Sequence, residues 1–475
     1  MKKVFCNLMV ISLLVMILSS CVQNNNAKAE NANGHIKSIT AINEVFADGQ
    51  KVSAVAVEYD KNINTSKLLK SDFTVEGKIV TKVYANTEAA KASQGNDGKY
   101  VILELATDYE NPVTDAQSTR VGKQPIRPAQ THGPKMRISQ PNGGTAEQSS
   151  AANAKIHQGL TLAVNHGGDG LLVSVKQVGN IETTDGEAYV QSSDVMENEK
   201  DINLVLDDFL KPDFIDPKNG QMIKYNLYVP QNYDKNKSYP LVLFIQDEGS
   251  INGKHSGSLI QGLGGIIWAE PLEQAKHECF VLAPSYHNAI TTDNFQTTNE
   301  LDTTVALINS LETQYNIDKN RIYTTGQSMG CMASIALNIK YPDMFAASLL
   351  VAGQWDPQAM SELNKANMWI VVSEGDEKSY SGMNDCMAKL EAAGAKICRT
   401  TWNGRASQTE FASDISAMIA EGDNIKYTIL RKGTVVPAGQ TDDFINNHAY
   451  TWRIAYTIVG VRDWLFTQVK TPNKL

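Results

Sequence analysis

No tryptophan occurs before Trp268, and no cysteine lies between Cys21 and Cys279. The N-terminal part therefore lacks both the disulfide and the buried tryptophan that mark antibody-type sandwiches. The later cysteines, Cys279, Cys331, Cys386 and Cys398, do not have the short paired spacing of a structural zinc site. Cys386 and Cys398 fall on an expected helix and the strand after it, and are candidates for a disulfide outside the cytoplasm. His35, His132, His157 and His166 show no metal-like spacing and read as surface histidines. The formal charge is −9, with no cluster of Lys and Arg, which argues against a nucleic-acid partner. Beyond the extreme N-terminus no apolar run is long enough to cross a bilayer. Nothing in the sequence implies a metal or an organic cofactor.

The first residues are of another kind. Lys2 and Lys3 precede an apolar run from Leu8 to Leu18, too short and wrongly flanked for a spanning helix, as in a secretory signal. The run ends in Leu18-Ser19-Ser20-Cys21, which resembles the lipobox of bacterial lipoproteins. That resemblance implies removal of residues 1–20, lipidation of Cys21, and a protein held outside the cytoplasmic membrane, facing the periplasm or at the cell surface. Residues 21–34 are polar and without period, as a tether should be.

Two domains are expected, dividing near residue 200. Residues 35–200 read as short strands with turn signals: 36–42, an alternating run at 52–59, 73–75, 79–85, 100–106 and 171–178. The pattern suggests an all-β, Ig-like sandwich, with a polar loop over 111–154 rich in Pro, Gly, Gln and Ser. From residue 203 to 475 strands alternate with helices. Strands are expected at 225–229, 241–245, 280–283, 321–324, 346–351, 368–373 and 396–401. Helices are expected at 300–315 and 383–393, and as a last helix carrying Trp452, Ile454, Ile458 and Trp464. This order indicates a mostly parallel sheet with helices on both faces, whose ligands sit beyond the carboxyl ends of the strands.

The chemistry centres on Gly326-Gln327-Ser328-Met329-Gly330. The five-residue pattern alone is weak, but a β-prone run leads into it and a small-residue helical run leads out. That is the strand–turn–helix setting of a nucleophile elbow. A serine hydroxyl needs a base to take its proton, and the base needs a carboxylate to orient it. In α/β-hydrolases the order along the chain is Ser, then Asp or Glu, then His. Of eight histidines only His448 follows Ser328, in a polar segment expected as a loop before the last helix. Asp376, just past the strand 368–373, is the first candidate for the acid. Glu374, Glu377 and Asp356 stand behind it. An oxyanion hole needs two donors: the backbone N–H of Met329 and one from the loop after 241–245, where Asp247 and Glu248 stand. Gln246 and Gln327 flank the same site and are candidates for the substrate pocket. The loops 249–268 and 285–299 follow strands at the active edge and are expected to set specificity.

Several segments of the C-terminal domain resemble two-domain bacterial esterases that have an N-terminal Ig-like domain and an α/β-hydrolase domain. These are relatives of polyhydroxybutyrate-depolymerase-type and feruloyl-type esterases, often labelled prolyl-oligopeptidase-like. The resemblance rests on Tyr225 to Pro230, Tyr239 to Phe244, Thr325 to Met332, Val351 to Asp356, Ser373 to Asp376, and His448 with Trp452. It implies Ser328, Asp376 and His448 as a triad, and an extracytoplasmic serine carboxylesterase acting on a small-molecule or polymer-linked ester. It also suggests Trp355 as a pocket wall and an indole donor to the oxyanion. One segment departs from the family. Where His-Gly or His-Asp is usual, the chain has Gln246-Asp247-Glu248-Gly249, two carboxylates that oppose a developing negative charge unless they point away. A serine peptidase on the same residues, and a surface-binding protein with a silent hydrolase fold, are the alternatives.

Overall fold

A computed structural model describes residues 34–107 and 171–470. The signal segment, Cys21, most of the tether, His132, His157, His166 and the loop 111–154 lie outside the described residues.

The N-terminal domain is a sandwich. Strands β1 (Ile36–Phe46), β2 (Gly49–Ile63), β4 (Val80–Asn86), β5 (Gly98–Leu105) and β10 (Lys200–Asn203) form one sheet in the order β10-β1-β2-β5-β4. Strands β3 (Phe73–Val75), β6 (Ser174–Gln177) and β9 (Met196–Glu197) form a second, and β7 (Ile181–Glu182) pairs with β8 (Ala188–Tyr189). The alternation in 52–59 sends Val55, Val57 and Tyr59 inward against Phe73, Val75 and Val175 of the facing sheet. Ala54 and Ala56, on the other face of the same strand, pack with Ile42, Tyr84 and Ile102. Strand β10 runs parallel to β1, so the chain leaving the sandwich is itself an edge strand of it.

The C-terminal domain is built on a nine-stranded sheet, β11-β12-β14-β13-β15-β16-β17-β19-β18. Its strands are β11 (Asp213–Ile215), β12 (Met222–Tyr228), β13 (Tyr239–Ile245), β14 (Phe280–Ser285), β15 (Ile317–Gln327), β16 (Ala347–Val351), β17 (Met368–Ser373), β18 (Ile397–Trp402) and β19 (Ile425–Leu430). Pairing is antiparallel only among β11, β12 and β14, and parallel from β14 to β18. The apolar run of β13 serves both faces. Val242 and Phe244 join one core; Leu241, Leu243 and Ile245 join the other. Each such side chain contributes about 1.5–3 kcal/mol on burial.

Three expectations are corrected. First, the last helix is two, Phe444–Ala455 and Val459–Thr467. At the break Arg462 Nη1 donates to the Tyr456 carbonyl (2.6 Å) and Thr457 Oγ1 to that of Ile454 (2.7 Å), so carbonyls at the helix end find donors. Second, His448 lies inside the helix Phe444–Ala455 and not in a loop before it. Third, Cys386 and Cys398 are free thiols, as are Cys279 and Cys331; Cys386 Sγ instead meets the Trp355 carbonyl at 3.1 Å.

Glycine is required where the elbow helix Met329–Lys340 meets the sheet. A Cβ on Gly330 would stand 1.9 Å from the Ile245 carbonyl oxygen, and one on Gly326 would stand 2.5 Å from the Gly330 carbonyl carbon. Gly330→Ala is therefore expected to lower unfolding stability by about 2–3 kcal/mol, since backbone must move to admit the methyl; a shift in the denaturant midpoint at unchanged slope measures it.

Candidate active site

Ser328 sits between β15 and the helix Met329–Lys340 with φ 54° and ψ −118°. An L-residue rarely adopts this backbone, which costs about 1–3 kcal/mol. It is held by the Ser328 N–H donating to the Val351 carbonyl (3.0 Å) and by the close glycine contacts on either side. The turn presents the hydroxyl at the carboxyl edge of the sheet, beside the helix N-terminus.

His448 Nε2 lies 2.9 Å from Ser328 Oγ, and His448 Nδ1 lies 2.5 Å from Asp376 Oδ2. Residues far apart in the chain thus form one hydrogen-bonded line. Asp376 is nearly sealed from solvent, with its side chain 1% exposed. It also caps the helix Glu377–Ala392, where Oδ1 accepts from the Ser379 N–H at 3.3 Å. Burial by itself would raise the Asp376 carboxyl, but the His448 imidazole and the donors of His448 and Ser379 outweigh it. The carboxyl is held below its ordinary value. The imidazole is fixed from two further sides, by Ser379 Oγ at 3.4 Å from Nδ1 and by the edge of Trp452, ring centres 5.2 Å apart.

The helix that carries His448 is locked to the acid loop. Ser373 Oγ donates to Asn447 Oδ1 (3.1 Å) and receives the Gly375 N–H (3.1 Å). A Cβ on Gly375 would fall 2.2 Å from the Asn447 side chain, so glycine permits the approach. Asp443 caps the helix through the Asn446 N–H, at 2.8 Å.

The other acid candidates are engaged elsewhere. Glu374 accepts from the Lys432 N–H (2.8 Å), Asp356 caps the short helix Pro357–Met360, and Glu377 is exposed.

Ser328 opens onto a cleft of about 220 Å³ lined in part by Glu248, Met329, Met332, Gln354, Phe444 and Ile445. This corrects the pocket expected from the sequence. Gln246, Gln327 and Asp247 are buried behind the cleft and do not line it. The Asp247 N–H donates to Gln261 Oε1 at 3.2 Å, so it points away from Ser328's opening. Trp355 stands in the apolar core, its ring 5.5 Å from that of Phe295, and is also outside the lining. Met329 and Glu248 do line it.

The residues that sequence reasoning missed are the apolar walls and Gln354. Met332 lies one helical turn after Ser328, and Phe444 and Ile445 one turn before His448, so helical spacing from each candidate residue could have found them. Lys378 and Asp293 pair across the rim at 2.5 Å, a contact between distant segments that no local pattern announces. Among the described residues, Glu273, His277 and Asp463 are grouped closely enough to share a cation. Glu273 is already paired with Arg462 at 3.0 Å and His277 with Asp463 at 2.8 Å.

Three outcomes follow from this geometry. Asp376→Asn removes the charge that steadies the imidazole and is expected to lower kcat by about 10⁴-fold, read with an aryl ester. Because the folded Asp376 carboxyl lies below its unfolded value, its stabilisation is complete above the ordinary carboxylate range and is lost as pH falls through the folded value. The stability gap between wild type and Asp376→Asn should therefore narrow on acidification in denaturant titrations. Trp355→Phe, outside the cleft, is expected to leave kcat within about twofold.

Comparison with known proteins agrees with this architecture. Residues 38–190 match the Esterase Ig-like N-terminal domain family, and residues 270–447 match the Esterase family. An endo-1,4-beta-xylanase/feruloyl esterase of Xylanibacter ruminicola is 27% identical over 200 residues, covering 38% of this chain and 27% of that one. Acetylxylan esterase A of Emericella nidulans is 28% identical over 157 residues, 32% of this chain and 49% of that one. The chain thus spans about a quarter and about half of the lengths of these two relatives. The crystal structure of a thermostable esterase superposes with a TM-score of 0.68 at 25% identity, over 92% of this chain and all of that one. The chain joins an esterase Ig-like N-terminal domain to an esterase domain of the α/β-hydrolase fold.

Proposed function

We propose that the protein is a serine carboxylesterase working outside the cytoplasm, anchored by a lipid on Cys21. The observation that carries the chemistry is the line Ser328 Oγ–His448 Nε2 at 2.9 Å and His448 Nδ1–Asp376 Oδ2 at 2.5 Å, at the edge of a cleft. In this reading His448 takes the Ser328 proton as Oγ attacks the acyl carbon. The carbonyl oxygen becomes an oxyanion held by main-chain N–H groups. One is that of Met329, the first residue of its helix, where no intrahelical acceptor exists. The other is that of Glu248, which begins the turn after β13.

Collapse of the tetrahedral species expels the alcohol, which receives the proton from His448. Water then repeats the sequence on the acyl-enzyme, with His448 as base, and frees the acid. Asp376 keeps its charge throughout and steadies the imidazolium.

The apolar wall of Met332, Phe444 and Ile445 faces the acyl group, and about 220 Å³ admits anything from acetyl to an aromatic acyl chain. Together with the feruloyl and acetylxylan relatives, this favours an ester on a plant-type polysaccharide as substrate. The anchor rests on Lys2, Lys3, the apolar run and Leu18-Ser19-Ser20-Cys21. No helix among the described residues is long and apolar enough to cross a membrane.

Ser328→Ala and His448→Ala are each expected to lower kcat by about 10⁶-fold, measured with acetyl, butyryl, hydroxybutyryl and feruloyl esters. A fluorophosphonate should label wild type and not Ser328→Ala. An unlabelled wild type, or a faster turnover of prolyl peptide anilides than of every ester, would defeat the esterase reading. Cys21→Ser should move the protein from the membrane to the soluble fraction; unchanged membrane association would defeat the anchor.

A further inference from the structure

Behind the cleft lies a buried glutamine whose position no step of the chemistry requires. Gln261 is 1% exposed. Its Oε1 accepts two hydrogen bonds, from the Asp247 N–H (3.2 Å) and from Gln327 Nε2 (3.1 Å), and its Nε2 donates to the Ser258 carbonyl (2.9 Å). Asp247 immediately precedes Glu248, and Gln327 immediately precedes Ser328. One amide therefore spans the two strand ends, β13 and β15, that present the second oxyanion donor and the nucleophile.

The segment carrying Gln261 is held from outside its own domain. On one side the Ile260 carbonyl accepts the Gln50 N–H at 3.1 Å. On the other, Gly262 lies so near the sandwich that a Cβ there would stand 2.9 Å from the Ala47 carbonyl oxygen. Ala47 and Gln50 flank the β1–β2 turn of the N-terminal domain. Val45 and Ala47 of that domain share a core with Leu259, Ile260, Leu263 and Ile266. Gln50 is itself buried and donates through Nε2 to Asn203 Oδ1 (2.9 Å) on β10, the strand that ends the sandwich.

We infer that Gln261 is a positioning residue through which the N-terminal domain's β1–β2 turn holds the Asp247-Glu248 loop in register with Ser328, making the sandwich a part of the oxyanion-binding apparatus. The inference rests on the esterase reading above. Gln261 touches no substrate; it acts through two neighbours. The physical reason is the tolerance of an oxyanion site. Donors must lie about 2.7–3.1 Å from the developing oxyanion, and a misplacement of about 1 Å can cost about 100-fold. Loops after strands are otherwise the parts of an α/β sheet most free to drift.

The test compares wild type, Gln261→Met and Gly262→Ala as full-length proteins. Methionine keeps the length and volume and removes the acceptor. The Gly262→Ala change keeps the Gln261 side chain but shifts the segment, both by crowding the Ala47 carbonyl and by straining the backbone at φ 156°. Each variant is assayed for kcat and KM on one aryl ester, for inhibition by an aryl boronic acid, whose adduct on Ser328 places an oxygen in the oxyanion site, and for the endpoint of fluorophosphonate labelling. The expected result is a kcat lowered about 10- to 100-fold with KM within about twofold, a boronate affinity reduced by a similar factor, and complete labelling of Ser328. A kcat and boronate affinity within about twofold of wild type in Gln261→Met would overturn the inference and leave the esterase reading standing. So would a loss of activity that matches a loss of labelled sites. Should Gln261→Met not fold, Gly262→Ala decides by the same readouts. A wild type that neither takes the label nor cleaves any ester overturns the esterase reading itself.

Discussion

The approach of the elbow helix to the end of β13 is the constraint on which the rest of the site depends. Gly330 leaves no room for even a methyl against the Ile245 carbonyl. That contact sets Ser328 on its strained turn. It also sets Ser328 close to the loop that begins at Gln246. Both consequences come from one missing side chain. The strain is local and is offset by the sheet, where β13, β15 and β16 run parallel and are buried on both faces.

A second constraint meets it from the other side. His448 is held by a helix whose approach to the acid loop depends on Gly375 and on the Ser373–Asn447 hydrogen bond. Asp376 serves as helix cap and as partner of the imidazole with different oxygens. Its charge is therefore stabilised by the fold whether or not a substrate is present. The His448 imidazole is already oriented toward Ser328, and the cost of orienting it is met during folding.

Much of this was legible in the sequence, for identifiable reasons. The continuous apolar runs at 241–245 and 368–373 suit strands covered on both faces, and both are. The Gly-x-Ser-x-Gly pattern between a β-prone and a small-residue run located Ser328, and a single downstream histidine left one candidate base. These signals are local or depend on chain order. What escaped was non-local. The polar run Asn446, Asn447 and His448 suggests a loop, yet the segment is helical, capped by Asp443 and carrying the buried Tyr450 and Trp452 beyond. Strand β19 went unrecognised because Lys426 and Thr428 interrupt its apolar pattern. Both are buried, and the Thr428 hydroxyl accepts from the Trp369 indole at 3.0 Å. The position of Trp355 after the strand beside the elbow, together with resemblance, suggests a place at the oxyanion, whereas chain direction after β16 carries it into the core. Gln246 and Gln327 neighbour the site in sequence, which suggests pocket residues. Adjacent residues of a strand point to opposite faces, and these point inward.

The parallel pairing of β10 with β1 bears on where the protein can be divided. The strand that closes one edge of the sandwich is supplied by the chain on its way into the hydrolase domain. A fragment ending at residue 190, where the match to the N-terminal family ends, would leave β1 with a bare row of main-chain donors and acceptors, an invitation to pair with another molecule. A catalytic fragment starting beyond that strand would uncover Leu259, Ile260 and Leu263, which now lie in a core shared with Val45 and Ala47. The two halves are separable as families but not as pieces of polypeptide: each keeps part of its finished surface in the other.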